Sequence, residues 1–312
     1  MYFLPKQPWR LLLFAAIVAI LPFIFTSKFQ LSILLLVGIN AIVCVGLNLL
    51  VGNTGQISLG HAAFFGIGAY ANAILTGDHG WNALAAASVG LALSCIIAVA
   101  VGWPILRLKD NYLAMATLGV GLVIYLVLSH ELAITGGPDG RAVKSVVIAG
   151  TRLRGEATWY WITAGALVLS VWMAENLSAS PWGLALRAVH ASEPASAAVG
   201  INVHALKVAV FVFSAALASA AGSLYAHAYA FVTPELSGFL HSVELVVMIV
   251  IGGLGSVYGG VIGAAIVVIL PQVLTAAKDY EQLVFGLMLV LIAFVMRQGL
   301  LPTIAGALGV RR

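Results

Sequence analysis

Long apolar segments separated by short polar ones recur along the whole of this 312-residue chain. A helix needs roughly 17 to 25 mostly apolar residues to cross a hydrocarbon core of about 30 Å. Segments near this length occupy ten positions: 10–26, 31–51, 57–75, 82–106, 111–129, 158–174, 206–228, 240–253, 258–275 and 282–297. None shows the alternating pattern of a membrane β-barrel strand. The sequence therefore predicts an all-α polytopic membrane protein with about ten transmembrane helices.

The composition leaves no room for a separate soluble domain. Hydrophobic residues make up 62% of the chain and charged residues only 8%, against about a quarter charged in soluble proteins. The two longest polar stretches, 130–157 and 175–206, are too short for a substantial core. Residues 1–312 are therefore expected to form a single transmembrane domain. The first apolar segment resembles a secretory signal, but it lacks a clear small-residue cleavage site, so we expect it to be retained as a span.

The distribution of Lys and Arg predicts the orientation in the membrane. With ten spans and the N-terminus inside, nine of the 15 basic residues are cytoplasmic: Lys6, Arg10, Arg107, Lys109, Arg187, Lys207, Arg297, Arg311 and Arg312. The outer side then holds Lys28, Arg141, Lys144, Arg152, Arg154 and Lys278. Because basic residues concentrate in cytoplasmic loops, this distribution favours cytoplasmic N- and C-termini.

One polar stretch, WGLALRAVHASEPASAAVGINVHALK at 182–207, interrupts the apolar pattern late in the chain. Its charged residues stand in an Ala-rich background, and the stretch is too polar to cross a bilayer. Pro194 and Gly200 are predicted to divide it into two short helices with small, exposed side chains. Such a shape suits insertion into a cleft on another protein, where Arg187 and Glu193 would form charge-assisted hydrogen bonds.

Two glycine-rich segments, VGNTGQISLG at 51–60 and IGGLGSVYGG at 251–260, carry glycines at a constant offset of 200. Interrupted apolar segments in matching positions indicate transporter binding regions and internal repeats. Two coincidentally similar turns explain the same spacing equally well.

Polar side chains cluster around the first glycine-rich segment. The candidate substrate pathway consists of Asn48, Asn53, Gln56, Ser58 and His61. If the backbone is broken here, its polar groups must face protein or a water-filled cavity. The alternative is a cytoplasmic turn in which Ser58 caps the next helix.

The remaining polar residues suggest no chemistry. The carboxylates are scattered, and Cys44 and Cys95 lie in apolar segments without metal or redox spacing. No lysine follows a glycine, so the phosphate-binding loop of an ATPase is absent. We expect no enzyme activity, no metal, no cofactor and no nucleic-acid partner. Glu244, near the start of an apolar segment, is predicted to be structural or interfacial.

Several motifs resemble one known family. LNLLVGNTGQISLGHAAFFGIGAY at 47–70, the stretch from RAVHASEPASAAVGINVHALK to SLYAH at 187–227 and VELVVMIVIGGLGSVYGGVIGAA at 243–265 occur in the family's order. YLAMATLGVGLVI and TGGPDG are similar as well. These motifs resemble the membrane permeases of branched-chain amino-acid ABC importers, specifically the M-type subunit.

The resemblance implies a subunit of the bacterial inner membrane that contacts three kinds of partner protein and the lipid. These are a second permease of the H type, two cytoplasmic ATPase subunits, a periplasmic substrate-binding protein and the lipid bilayer. It also implies that residues 182–204 are a cytoplasmic coupling segment seated in an ATPase cleft. The residues that carry this role are Arg187, Ala188, Glu193, Ala195, Ala198, Gly200 and Ile201.

The chain departs from the family pattern at several positions. His190, Ala191 and Ser192 replace a more charged run, and Arg141 replaces a leucine after the TGGPDG motif. Two alternatives therefore stay open: a permease for urea or short amides within the same architecture, and an ion-coupled secondary transporter. An ion-coupled transporter needs a pair of ionisable residues within the membrane, and Glu244 is the single candidate for such a pair.

Overall fold

The computed structural model describes residues 8–108, 110–144, 146–148, 151–153, 155–274 and 286. The helices within them are α1 (Pro8–Ile24), α2 (Lys28–Thr54), α3 (His61–Gly77), α4 (Ala83–Ile105), α5 (Asp110–His130), α6 (Leu132–Thr135), α7 (Glu156–Ala179), α8 (Pro181–Ala191), α9 (Glu193–Ala198), α10 (Val203–Tyr229), α11 (Phe239–Gly252) and α12 (Val257–Leu274). Four two-residue strands accompany them: β1 (Arg141–Ala142), β2 (Val147–Ile148), β3 (Thr151–Arg152) and β4 (Phe231–Val232).

The helix lengths confirm an all-α polytopic membrane protein. Within the described ranges, α2, α4, α5, α7 and α10 are long and apolar enough to cross a membrane. Helices α11 and α12 pass the same test only together, and they are bent by 119° at the break between them. The predicted eighth and ninth spans are therefore one broken span or a re-entrant loop. The tenth, 282–297, lies outside the described residues, so the count of ten is not confirmed.

Helix α2 forms the centre of the bundle. In its most apolar stretch, 83% of the residues are buried inside the protein, against 22% for α4 and for α5. It packs against α7, α10 and α12. Helices α4 and α5 present apolar side chains outward, which suits contact with lipid or with a partner subunit in the membrane.

Helices α3 and α10 cross at very short range. A Cβ atom on Gly68 would overlap the carbonyl oxygen of Ser219, and one on Gly222 would overlap that of Phe65. Small residues at such crossings let helix backbones approach closely in membranes. Asn72, on α3, then reaches α10: its Nδ2 donates to Ser223 Oγ over 2.8 Å.

The loop after α5 is anchored at both of its sides. Strand β1 pairs antiparallel with β4, placing Arg141 opposite Val232. The Arg141 guanidinium also forms an ion pair with Asp78, next to the end of α3. The arginine that departs from the family pattern therefore ties this loop to the bundle.

Candidate functional site

The first glycine-rich segment breaks the path from α2 to α3. Gly55 ends α2 with φ +70°, and its N–H donates to Val51 O over 3.0 Å. A positive φ at this helix-ending position is readily adopted by glycine. Residues 56–60 are not helical, and α3 begins at His61. The predicted third span therefore starts four residues later than expected, because Gly60 packs directly on the Thr117 carbonyl of α5. We call residues 55–60 the first break.

The second glycine-rich segment lies against the first. Residues 253–256 separate α11 from α12 and form the second break. A Cβ atom on Gly52 would overlap the backbone nitrogen of Gly255, so the two chains touch. The helices before the breaks differ in length, 27 residues in α2 and 14 in α11. The lengths of these helices therefore do not support an internal repeat, and its existence stays a prediction.

Asn48 joins the second break to α2. Its Nδ2 donates to Gly253 O over 3.1 Å and to Ser256 O over 2.7 Å. Its Oδ1 accepts from Gly255 N over 2.7 Å. Backbone groups that lose their helical partners at a break must form other hydrogen bonds inside a membrane. The bonds from Asn48 meet this requirement for Gly253, Gly255 and Ser256. Of the five pathway candidates, Asn48 is therefore the one whose amide nitrogen and amide oxygen both form hydrogen bonds with the described backbone.

Gln56 and His61 retain unused hydrogen-bonding capacity. Gln56 is 3% exposed, and neither of its amide atoms has a hydrogen-bond partner in the described part of the chain. His61 is 1% exposed; its Nδ1 lies 2.8 Å from Ser58 Oγ, whereas its Nε2 has no such partner among the described residues. Asn53 is buried as well. Buried polar atoms without partners also occur elsewhere among the described residues, so it is their clustering at a helix break that makes the first break a functional candidate.

Ser58 does not cap α3. The cap position is Gly60, and no side chain bonds to the first turn from there. Instead, the Ala62 N–H donates to Ser242 Oγ of α11 over 3.2 Å, and the Leu59 N–H donates to Thr117 Oγ1 of α5 over 3.1 Å. The first break is thus held by neighbouring helices. Sequence spacing could not indicate Thr117 or Ser242, because they lie 58 and 180 residues away from these donors.

Little space remains at the junction of α3, α5 and α11. The cavity there has a volume of about 10 Å³, which is about the size of one water molecule. Its lining consists of Leu59, Leu118, Gly121, Leu122, Ser237, Phe239 and Ser242. This cavity is too small to hold an amino acid.

The polar stretch at 182–204 contains two short helices, α8 and α9, as predicted. The chain breaks between them at Ser192, which is extended with φ −162° and ψ 110°. Pro194 lies in the first turn of α9, two residues after this break, where its missing N–H costs no hydrogen bond. Because a proline cannot continue the preceding helix, this position agrees with the predicted role of Pro194 in dividing the stretch. We call residues 181–198 the α8–α9 segment.

The α8–α9 segment exposes several small side chains beside larger ones such as Trp182 and Leu184. Of the seven predicted coupling residues, the exposed ones are Arg187, Ala188, Ala195, Ala198 and Gly200, and the half-buried ones are Glu193 and Ile201. The neighbouring Val199 is 76% exposed. The short side chains of the exposed alanines allow the backbone of a partner to approach this segment closely.

The two charged coupling residues already have partners within the chain. Arg187 Nη1 donates to Ser178 O over 3.0 Å. Glu193 forms an ion pair with Lys207 of α10, whose side chain is only 7% exposed. The sequence analysis did not predict this pair, although Glu193 and Lys207 are only 14 positions apart, on either side of a turn.

The described helices thus form a membrane bundle in which two glycine-rich breaks pack on each other and a two-helix segment lies exposed. A family model described as "Branched-chain amino acid transport system / permease component" matches residues 29–293. The chain therefore belongs to that family.

Individual relatives agree with this assignment. The high-affinity branched-chain amino acid transport system permease protein LivM of Escherichia coli is 30% identical over 95% of this chain and 75% of its own length. LivM of Salmonella typhimurium is equally similar. LivH of Escherichia coli is 26% identical over 84% of this chain and 90% of its own length. These relatives are transport permeases rather than enzymes. No solved structure matches the chain.

Proposed function

We propose that this protein is one membrane-spanning half of an ABC importer for branched-chain or related amino acids. Two cytoplasmic ATPases would drive it, a periplasmic binding protein would deliver the substrate, and an H-type permease would complete the passage. The similarity to both LivM and LivH, two permeases of one kind of system, supports a second permease subunit. The bacterial inner membrane, with both termini in the cytoplasm, is the proposed location.

The observation that carries this proposal is the exposed α8–α9 segment. Two short helices with alanines on their outer face fit a cleft on a soluble partner, and such a contact is what a chain without its own ATPase motif needs. Within the described residues, the two ion pairs are Arg141–Asp78 and Lys207–Glu193, and neither lies mid-span. Glu244 is exposed on α11. Neither ion pair therefore supplies the mid-span charge pair that an ion-coupled transporter needs.

Co-purification tests the ATPase contact. Ala195→Trp places a bulky ring on the exposed face of α9 and should abolish capture of the ATPase subunits of the proposed importer. Ala157→Trp, exposed in the first turn of α7, is the matched control and should leave capture unchanged. Equal capture by both variants would refute the proposed contact.

Uptake by the reconstituted complex tests the substrate class. We expect ATP-dependent accumulation of leucine, isoleucine or valine in proteoliposomes that contain both permeases, the ATPases and the binding protein. Accumulation of urea or acetamide instead would identify a short-amide permease. Uptake that follows an ion gradient without ATP would identify a secondary transporter.

A further inference from the structure

Among the contacts that join the α8–α9 segment to the transmembrane core, two lead to the first break. One is the ion pair between Glu193 of α9 and Lys207 of α10. The other is the packing of His190, at the end of α8, on Gly55. A Cβ atom added to Gly55 would lie 2.9 Å from His190 Nδ1, so the imidazole rests directly on this glycine.

The ion pair fixes α9 to α10. Lys207 is the fifth residue of α10, at the start of its second turn. Its side chain is buried, so its charge requires a counter-charge close by. Glu193 supplies that charge. Separating α9 from α10 would leave a buried ammonium group unpaired, and therefore the two helices should move together.

Helix α10 connects the Glu193–Lys207 ion pair to the far end of the first break. Phe211 follows Lys207 by four residues, so both side chains lie on the same face of α10. The ring of Phe211 meets the ring of His61 edge to face, with centroids 5.5 Å apart. His61 is the first residue of α3. The Glu193–Lys207 pair is therefore connected to His61 through one turn of helix and one ring contact.

We propose that Lys207 and His190 are positioning residues that transmit movement of the α8–α9 segment to the first break. His190 acts on Gly55 at the near end, and Lys207, held by Glu193, acts through Phe211 on His61 at the far end. The inference rests on the proposed function, since it requires an ATPase to move the α8–α9 segment. It also changes the role of Glu193, from a residue that binds the partner to one that holds α9 on the core.

The decisive variant removes both charges at once. Glu193→Gln with Lys207→Met leaves no buried charge unpaired, so the chain should fold, and it leaves the exposed alanines of the α8–α9 segment unchanged. We expect normal ATPase capture and ATP hydrolysis, but transport per ATP hydrolysed lower by about tenfold, within the usual range of coupling between sites. The exchanged pair, Glu193→Lys with Lys207→Glu, should recover part of the loss. Glu131→Gln with Lys28→Gln, two exposed residues elsewhere, is the control for charge removal.

His190→Ala tests the second contact independently. Its side chain is exposed, so its removal should not affect folding or ATPase capture, and transport per ATP should fall as in the charge-free variant. Normal transport per ATP in both variants would overturn the proposal. Loss of ATPase capture in the charge-free variant would also overturn it, because Glu193 would then contact the ATPase directly. If the unaltered chain captures no ATPase, the proposed function itself fails, which is a separate result.

Discussion

Buried polar side chains near the two breaks divide into those that are fully bonded and those that are not. Asn48 and Gln56 both lie in or beside the first glycine-rich segment, and the sequence predicts the same role for both. The structure separates them, because the partners of Asn48 come from residues 253–256, about 200 positions further along the chain. The cluster could be predicted from the sequence, but the state of each hydrogen bond could not.

Replacing Asn48 should destabilise the fold. Asn48→Leu would leave the N–H of Gly255 and the carbonyl groups of Gly253 and Ser256 without their partner. Each unpaired buried group costs about 1–3 kcal/mol. We expect a clear fall in the unfolding temperature of the detergent-purified protein, together with loss of uptake. Asn111→Leu, at an exposed position, should leave both unchanged; an unchanged unfolding temperature for Asn48→Leu would contradict the role described here.

Replacing Gln56 should affect transport without affecting stability. Since neither amide atom of Gln56 has a hydrogen-bond partner among the described residues, Gln56→Leu removes no bond and lowers the cost of burying a polar group. We expect an unfolding temperature equal to or above that of the unaltered protein, and uptake lower by about tenfold or more, equivalent to at least about 1.4 kcal/mol in the transport barrier. Normal uptake would show that Gln56 does not take part in the passage.

At the scale of elements, apolar segment lengths predicted most helices of the bundle. They failed where a helix ends for reasons of packing. The start of α3 moves from 57 to 61 because Gly60 meets α5. Hydropathy measures only the preference of a segment for lipid, so it cannot predict a contact between backbone segments that are distant in the sequence.

The α3–α10 crossing should be intolerant of one added methyl group. Gly222→Ala places a Cβ atom against the Phe65 carbonyl, so the two helices must move apart and strain the Asn72–Ser223 hydrogen bond. We expect destabilisation of about 1–3 kcal/mol, as for other overpacked cores, measured by thermal unfolding in detergent. Gly165→Ala is the matched control, since a Cβ atom there meets nothing within 4 Å. It should be neutral or slightly stabilising, because alanine favours helix; equal effects would exclude tight packing as the cause.

At the scale of the whole molecule, composition and segment length predicted the class of protein, and the motifs predicted the family. The number of spans could not be obtained in this way. A segment bent at a break has the same hydropathy as two spans, as α11 and α12 show. The membrane orientation, which depends on parity, stays a prediction.

Labelling at single introduced cysteines should establish the orientation. Ala191→Cys, in the α8–α9 segment, and Ala142→Cys, in β1, are both exposed. With both termini in the cytoplasm, a membrane-impermeant maleimide should label position 142 from outside in intact cells and position 191 only after permeabilisation. The reverse pattern would require the opposite orientation, with the α8–α9 segment out of reach of any cytoplasmic partner.

The central position of α2 also bears on how the protein is made. Helix α2 leaves the ribosome long before α10 and α12, against which it packs and which start at residues 203 and 257. At about 5–20 residues per second, synthesis of the roughly 150 residues between α2 and α10 takes on the order of 10–30 s. Throughout that interval the amide of Asn48 has none of its final partners. A helper protein or the insertion machinery would be needed to shelter α2 until its neighbours arrive, and nascent chains stalled before α10 should be the preferred substrates of membrane quality-control proteases.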